Sequence, residues 1–510
     1  LLVDVAAILS TSSALGTVDE AFGVPENIRI TASAPASLTA EQSVWLQALD
    51  AGATASIVMP AAVPAAAPAA VPLGNPDPNV GPEPGDVNID AARVPLTKLP
   101  TMHGVELLDQ LALLTRSQLS SFVTAHPASI DALLASPPSA TQVAAFWSQT
   151  SNAQHDRLVA AAPRLVGGLE GFPYEVRDVA NRANLSHAEK SIHRQLSAGV
   201  GRAATDALTK QLHMLEQVRV ALTVGSSHNP RSLVSLDPSN GGRAVIIIGD
   251  ASTADYVDYL IPGMFSDVDT QIVAFTNGTD NIATQQQAWI KRLNPGVPAS
   301  RLPTVAAVAW IGYQTPNIAN VASMELAREG QASFTASLEG LRAERAARVT
   351  TSADGTVTPG SQPFVSVLAH SYGSTAVMLS LQDDAVKVDA LAIVGSPGSP
   401  ARSAKDLKVA NGNVWVGAAS TDPVPQTGIF GSQPLSPSYG AHRFGVDGAT
   451  DPVSQTSLRG SVGHNDYFVT GTESLRNMVL IGINRGDLVL GQDGGLALKV
   501  GKARAIIPSS

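Results

Sequence analysis

Phe364-Val365-Ser366-Val367-Leu368-Ala369-His370-Ser371-Tyr372-Gly373-Ser374-Thr375-Ala376-Val377 begins as an apolar, β-branched run, stops abruptly, and passes within four residues into a segment that reads as helix. A serine at such a strand–turn–helix junction is held on a tight turn above the end of a sheet. The usual pattern is G-x-S-x-G; here it is A-x-S-x-G, with Ala369 and Gly373 flanking Ser371. Both flanking positions must be small because the turn brings strand and helix backbones together, and alanine meets that need less fully than glycine. From the pentapeptide alone, an ordinary strand-to-helix connection reads the same way.

Outward from this stretch, residues 241–480 alternate strands and helices. Arg243 to Ile248, Tyr256 to Ile261, Thr304 to Ile311, Pro363 to Ala369, Val388 to Val394 and Asn413 to Ala418 are strand-like, and Ala441 to Val446 more weakly so. Helical stretches near 283–292, 320–347 and 374–383 separate them. Continuous apolar strands between helices predict an α/β layer fold, a mostly parallel sheet covered on both faces.

A serine hydroxyl is a poor nucleophile at neutral pH and needs an adjacent base. Where a serine occupies this kind of turn, the chain order is Ser, then Asp or Glu, then His. Asp422 follows the strand-like run 413–418, and His464 lies in Gly463-His464-Asn465-Asp466-Tyr467, so order and spacing both fit. Gly463 gives the loop freedom to aim the ring. Among the ten histidines, His103, His126, His155, His187, His193 and His213 lie in a helical region, and His228 precedes the sheet. His370 adjoins Ser371 and is expected to point away from it; His442 is the runner-up base. Asp422 would orient the imidazole and stabilise its charged form. It also reads as an Asp-Pro turn, and Asp447 and Asp451 are lesser candidates. An oxyanion hole needs two backbone amides: Tyr372, next to the serine, and Met264, in Leu260-Ile261-Pro262-Gly263-Met264-Phe265. Trp310 and Tyr313 end a strand on the same rim and are candidate pocket walls, with core packing as the alternative.

The rest of the chain divides by composition. Residues 1–59 read as a short helical region, with a Thr39–Gln42 cap and Gly52 closing the helix. Residues 60–96 form a Pro/Ala-rich linker, its eight prolines falling in 60–88 and favouring a polyproline II spacer. Residues 97–240 form a helical domain, expected to pack on the catalytic body and cover part of the site. Ser139–Gln142, Ser151–Gln154 and Ser186–Glu189 carry the spacing of capping boxes. Residues 481–510 read as a β-rich tail.

The 510 residues are 44% hydrophobic and 15% charged, a globular composition. The net charge of −10, with no dense Lys/Arg run, argues against nucleic acid and anionic membranes as partners. The absence of cysteine excludes disulfides, thiolate metal sites and cysteine nucleophiles. No apolar run reaches 18 residues, so no transmembrane helix is expected. Leu1-Leu2-Val3-Asp4-Val5 reads neither as a signal peptide nor as a natural initiator; secreted, cell-envelope and cytoplasmic locations all stay open, as does the oligomeric state. No H-E-x-x-H or Walker A motif occurs, and Gly395-Ser396-Pro397-Gly398 carries proline where a dinucleotide loop needs free amides. No cofactor and no metal are expected.

Several further segments belong together. They are Phe146-Trp147 through Ala183, Gly249-Asp250 with Thr253-Ala254-Asp255, Leu260 to Met264, Trp310-Ile311-Gly312-Tyr313, Ala369 to Ser374 and Gly395 to Gly398, with the surroundings of Asp422 and His464. As a set they resemble an actinobacterial α/β-hydrolase-fold family, formerly catalogued as a domain of unknown function, over roughly residues 140–480. Ala369 departs from the family's usual glycine. The resemblance implies a serine hydrolase with a Ser-Asp-His triad. The expected activity is cleavage of a small carboxylic ester with a hydrophobic or aromatic acyl group. An amidase, urethanase or thioesterase would use the same residues, and a non-catalytic cell-envelope interaction protein on a hydrolase scaffold is the reading of another class.

Overall fold

The computed structural model describes residues 94–223, 229–351 and 357–498. The expected N-terminal helix with its Thr39–Gln42 cap, the proline stretch 60–88 and residues 499–510 lie outside the described residues. Among the described residues, eight α-helices precede the sheet: α1 (Gly104–Ala112), α2 (Arg116–Ala125), α3 (Pro127–Ala135), α4 (Ala140–Gln149), α5 (Asn152–Ala161), α6 (Pro163–Gly168), α7 (Tyr174–Ala198) and α8 (Arg202–Thr223). Ser139 and Ser151 cap α4 and α5, with Gln142 and Gln154 reaching back to the cap amides. Thr115 and Gln118 do the same for α2. Ser186 opens no helix. It lies inside α7, which starts after Pro173 and meets no breaker before Gly199, whose φ is 77°. Leu107, Leu111, Val143, Phe146, Leu158 and Phe172 make the core of this region.

The strands are β1 (Arg231–Asp237), β2 (Arg243–Ile248), β3 (Tyr256–Ile261), β4 (Val305–Ile311), β5 (Val349–Thr351), β6 (Val357–Pro359), β7 (Phe364–His370), β8 (Ala390–Val394), β9 (Val414–Gly417), β10 (His442–Arg443), β11 (Gly448–Thr450) and β12 (Ser457–Arg459). Eight of them form one sheet, in the order β1-β2-β4-β3-β7-β8-β9-β10. The pairs β1–β2 and β2–β4 are antiparallel; every pair from β4 to β10 is parallel. The remaining strands make two small hairpins, β5–β6 and β11–β12. The helices after β1 are α9 (Val268–Leu293), α10 (Glu325–Ala347), α11 (Ser371–Ser380) and α12 (Glu473–Gly482). Ile246, Ile248, Leu260 and Leu368 on one face pack against α8, α9 and α12. Val245, Ile247, Tyr259, Val308 and Val367 on the other pack against α10 and α11. Every residue of β3 and β4 is buried, which is why these strands read as near-continuous apolar runs, broken only by the buried Asp258 in β3. This is the expected α/β-hydrolase fold: a mostly parallel sheet with helices on both faces, behind an N-terminal helical region.

The sheet differs from expectation at its margins. It begins with β1, before residue 241. That strand is a half-buried edge with Ser232 and Ser235 among its residues, too polar to read as a core strand. At the other edge β10 is two residues long. Beyond it Phe444 drops onto Gly417, where an added Cβ would lie 2.6 Å from the ring. The described part of 481–510 holds a 3-10 turn at Gly486–Leu488 and one isolated bridge, Leu490 to Leu496, in place of a β-rich tail. Val489 and Leu490 are buried there, so the apolar pattern reflects packing against the body. No helix among the described residues is long and apolar enough to cross a membrane.

Side chains of α7 occupy the outer edge of β1. Asp178 accepts the Leu233 amide (2.6 Å), Asn181 donates to the Leu233 carbonyl (3.2 Å) and Arg182 donates to the Arg231 carbonyl (2.7 Å). An open edge is a template for pairing with another chain, and these bonds occupy its first half, at Arg231 and Leu233. Asp178→Ala leaves a largely buried amide without its acceptor. The expected cost is about 1–3 kcal/mol, read as a lower urea midpoint, with increased light scattering on partial unfolding.

Candidate functional site

β7 ends at His370 and α11 starts at Ser371, whose φ of 52° lies in the left-handed region. A non-glycine residue there costs about 1–3 kcal/mol and persists only where its surroundings enforce it. They do so by close backbone approach. A Cβ on Gly373 would lie 2.2 Å from the Pro262 carbonyl oxygen, and one on Gly263 would lie 2.5 Å from Ser371 Cβ. The strict need for glycine therefore falls on 263 and 373. Ala369 sits in register between Ile261 and Ile393 of the neighbouring strands, where a methyl group packs. The departure from G-x-S-x-G thus leaves the turn intact.

The turn is pinned from several sides. Tyr313 donates its hydroxyl to the Pro262 carbonyl (2.8 Å), and its ring stacks on Tyr372. The Tyr372 hydroxyl accepts the Ala327 amide (3.0 Å) and donates to the Ser323 carbonyl (2.5 Å). Ser374 Oγ donates to the carbonyl of Ser371 (2.6 Å).

The structure brings Ser371, His464 and Asp422 into one line. Ser371 Oγ lies 2.8 Å from His464 Nε2, and His464 Nδ1 lies 3.0 Å from both oxygens of Asp422. The tautomer consistent with this network has Nδ1–H donating to the carboxylate and Nε2 accepting from the serine. All three are enclosed: Ser371 and His464 are 4% exposed, Asp422 2%. The carboxylate also accepts the Val424 amide at Oδ1 (3.0 Å) and the Tyr467 hydroxyl at Oδ2 (2.6 Å). Burial pushes Asp422 up, but the His464 bond and charge, with the Tyr467 and Val424 hydrogen bonds, outweigh it and hold it below the usual carboxylate range. Burial, then the Asp422 charge, pushes the Tyr467 phenol well above its ordinary value, so it remains a donor.

Sequence reasoning missed three supporting residues. Tyr467 lies three residues after His464, in a 3-10 turn at Asp466–Phe468; a hydroxyl one turn past the histidine was its signal. His370 Nε2 donates to the His464 carbonyl (2.8 Å) and so ties the histidine loop to the end of β7. Burial, with the nearby His464 ring, pushes His370 down to about 3. Gly395, at the end of β8 with φ 60°, leaves room for the imidazole: a Cβ there would lie 2.9 Å from His464 Cε1.

Met264 follows Gly263, which lies against Ser371, and Tyr372 follows the serine in sequence. Neither amide has a backbone acceptor among the described residues, as the first turn of a helix and a strand-end loop allow. Tyr313 lines no cleft with the reacting groups, and Trp310 borders only a cleft that does not contain them. Each is 1% exposed, and Trp310 packs edge-on against Phe334 of α10. They end a central strand that α10 covers. His442 lies beside Trp415, Asp451 pairs with Arg476, and Asp447 is near the Ser420 amide; none of the three joins the line. The helical region packs on β1, α9 and α10. A cleft of about 2220 Å³ separates parts of it from α10 and the end of β4, but Ser371, Asp422 and His464 are not in its lining.

An alpha/beta hydrolase family model matches residues 237–432. The Uncharacterized protein Rv2079 of Mycobacterium tuberculosis is 28% identical over 406 residues, 71% of this chain and 58% of that protein. The chain therefore spans little more than half the length of that relative. The Uncharacterized protein Mb0988c of Mycobacterium bovis is 26% identical over 228 residues, 43% of this chain and 79% of its own. A solved structure of FAE aligns over 51% of this chain and 90% of its own, at 11% identity and a TM-score of 0.27, too low to bear on the fold. The family match, with relatives in actinobacteria, supports a hydrolase.

Two outcomes follow from the packing around His464. Gly395→Ala displaces the imidazole and is expected to lower kcat about 100-fold or more, since an ångström of misplacement is enough, with the far-ultraviolet circular dichroism unchanged. The His370 pKa lies below the unfolded value of about 6.5, so the unfolded chain binds that proton more tightly. Stability therefore falls as pH drops from about 6.5 towards about 3. Asp422 adds a loss in the same direction only below about 4. Urea midpoints of His370→Gln between about pH 6 and 4.5 should fall less steeply than wild type.

Proposed function

We propose that this chain is a serine hydrolase that cleaves carboxylic esters through an acyl-enzyme. The observation that carries this reading is the buried line from Ser371 Oγ through His464 to Asp422, at 2.8 Å and 3.0 Å. Ser371 Oγ attacks the ester carbonyl carbon while its proton passes to His464 Nε2. Negative charge develops on the carbonyl oxygen, and the amides of Tyr372 and Met264 are the donors proposed to receive it. As the tetrahedral intermediate collapses, His464 returns the proton to the departing alkoxide, leaving the acyl group on Ser371. Water then repeats the sequence, with His464 as base, and releases the acid. Asp422 keeps Nδ1 protonated and offsets the charge of the imidazolium.

An amide, urethane or thioester would pass through the same steps. The reading as a non-catalytic scaffold fits less well, because a scaffold has no use for a strained serine aligned with an enclosed base. Ser371→Ala is expected to abolish ester hydrolysis, by at least a thousandfold, and to abolish labelling by a fluorophosphonate. His464→Ala should be as damaging, and Asp422→Asn less so, because serine and histidine act as a unit. Turnover of p-nitrophenyl esters checks all three; a Ser371→Ala protein retaining about a tenth of wild-type turnover would refute the serine mechanism.

A further inference from the structure

With Ser371 and His464 nearly inaccessible, a substrate reaches them only by displacing neighbouring side chains. Which side chains stand there bears on what the substrate is. Val424 is buried under Met264, Val321 and Ile429, a small apolar cluster of which Val321 and Ile429 also touch the edge of the core on the α10 and α11 face. Its members come from three loops, following β3, β4 and β9. The cluster is tied to the reacting groups at two points. Val424 donates its amide to Asp422 Oδ1 (3.0 Å). Met264 follows Gly263, whose Cα lies against Ser371. Phe265 and Ile318, 38% and 48% exposed, continue the apolar surface outward on two of the same loops. Those two loops are joined by the Phe265 amide donating to the Pro316 carbonyl (3.0 Å). Asp267, the nearest acid on the first loop, accepts a hydrogen bond from Thr315 (3.2 Å).

We propose that this cluster is the acyl-binding surface, and that the substrate is an ester of a medium-length aliphatic acid. The proposal rests on the serine-hydrolase reading and adds the substrate class. An aliphatic chain entering beside Ser371 takes over the contacts that Met264, Val321 and Ile429 make with Val424, so apolar surface stays covered as the loops part. A charged or strongly hydrated acyl group would leave an unpaired polar group against Val424, which disfavours it. The half-buried state of Met264, Val321 and Ile429 suits side chains that must yield, and methionine, with its unbranched flexible chain, adapts readily to a new neighbour.

The test is a series of p-nitrophenyl acetate, butyrate, hexanoate and octanoate, each below its aggregation limit, assayed on the full chain. Active sites are counted by titration with diisopropyl fluorophosphate, so that rates are compared per reactive serine. For wild type, kcat/KM should rise on the order of tenfold with each two added carbons before levelling off. Val321→Asp and Ile429→Asp, placing a carboxylate in the cluster, should each lower the octanoate-to-acetate ratio at least tenfold, whereas Val321→Leu should keep it. A wild-type enzyme that labels at Ser371 yet shows a flat or falling series overturns the acyl surface alone. So does a Val321→Asp variant with an unchanged ratio. Failure of Ser371 to label, with no turnover of any ester, strikes the serine-hydrolase reading itself, and the acyl surface falls with it.

Discussion

Three close backbone approaches frame Ser371 and His464, and their distances govern the rest of the site. The loop after β3 presses Gly263 against the serine, the first turn of α11 presses Gly373 against Pro262, and the end of β8 brings Gly395 against His464. At none of these places is there room for a side chain. Crowding of this kind holds Ser371 at a φ of 52° when its own preference is for negative φ. The strain is tolerated because relaxing it would break apart a packed sheet end, a larger loss than the conformational gain.

His464 reaches the serine from a different part of the chain, and polar groups guide it. α12 is buried along its whole length, yet it carries Ser474, Arg476 and Asn477. Ser474 meets Ser461 just before the histidine (2.7 Å), Arg476 binds Asp451 (3.0 Å), and Asn477 donates to the Gly445 carbonyl (2.9 Å). The β11–β12 hairpin and the histidine loop are thereby fastened to a helix that is itself locked beneath the sheet. His370 adds the final tie from beside the nucleophile. Directional bonds define a loop position that apolar packing alone would leave approximate.

How much of this was legible follows from physical range. The central strands announce themselves because both faces are buried, so β2, β3, β4 and β7 read directly from mostly apolar runs. β1 did not, because an edge strand bound by polar side chains has a mixed composition. Ser186 misled because capping spacing is local, and a continuous helix overrode it. Ser371, Asp422 and His464 were found from chain order and their strand-end positions, which the sheet converts into proximity. Tyr467 and His370 escaped because their roles depend on where a ring points, which spacing does not encode. Trp310 lies on the rim in sequence terms but under α10 in space. Glycines 263, 373 and 395 stood in the quoted motifs, but only the interatomic gaps distinguish a glycine that must be there from one that merely suits a turn.

The polar hold of α7 on β1 also has an order in time. A ribosome delivers the chain from its N-terminus, and α7 precedes β1. Asp178, Asn181 and Arg182 are thus synthesised before the strand whose edge they bind. The nascent sheet grows inward from a border whose first residues already have partners. The far border, β10, comes late and is two residues long, too short to recruit a foreign strand. A polysome carrying many copies of this chain therefore offers few exposed strands for neighbouring copies to seize. Strand addition at either border of the eight-stranded sheet is correspondingly hindered.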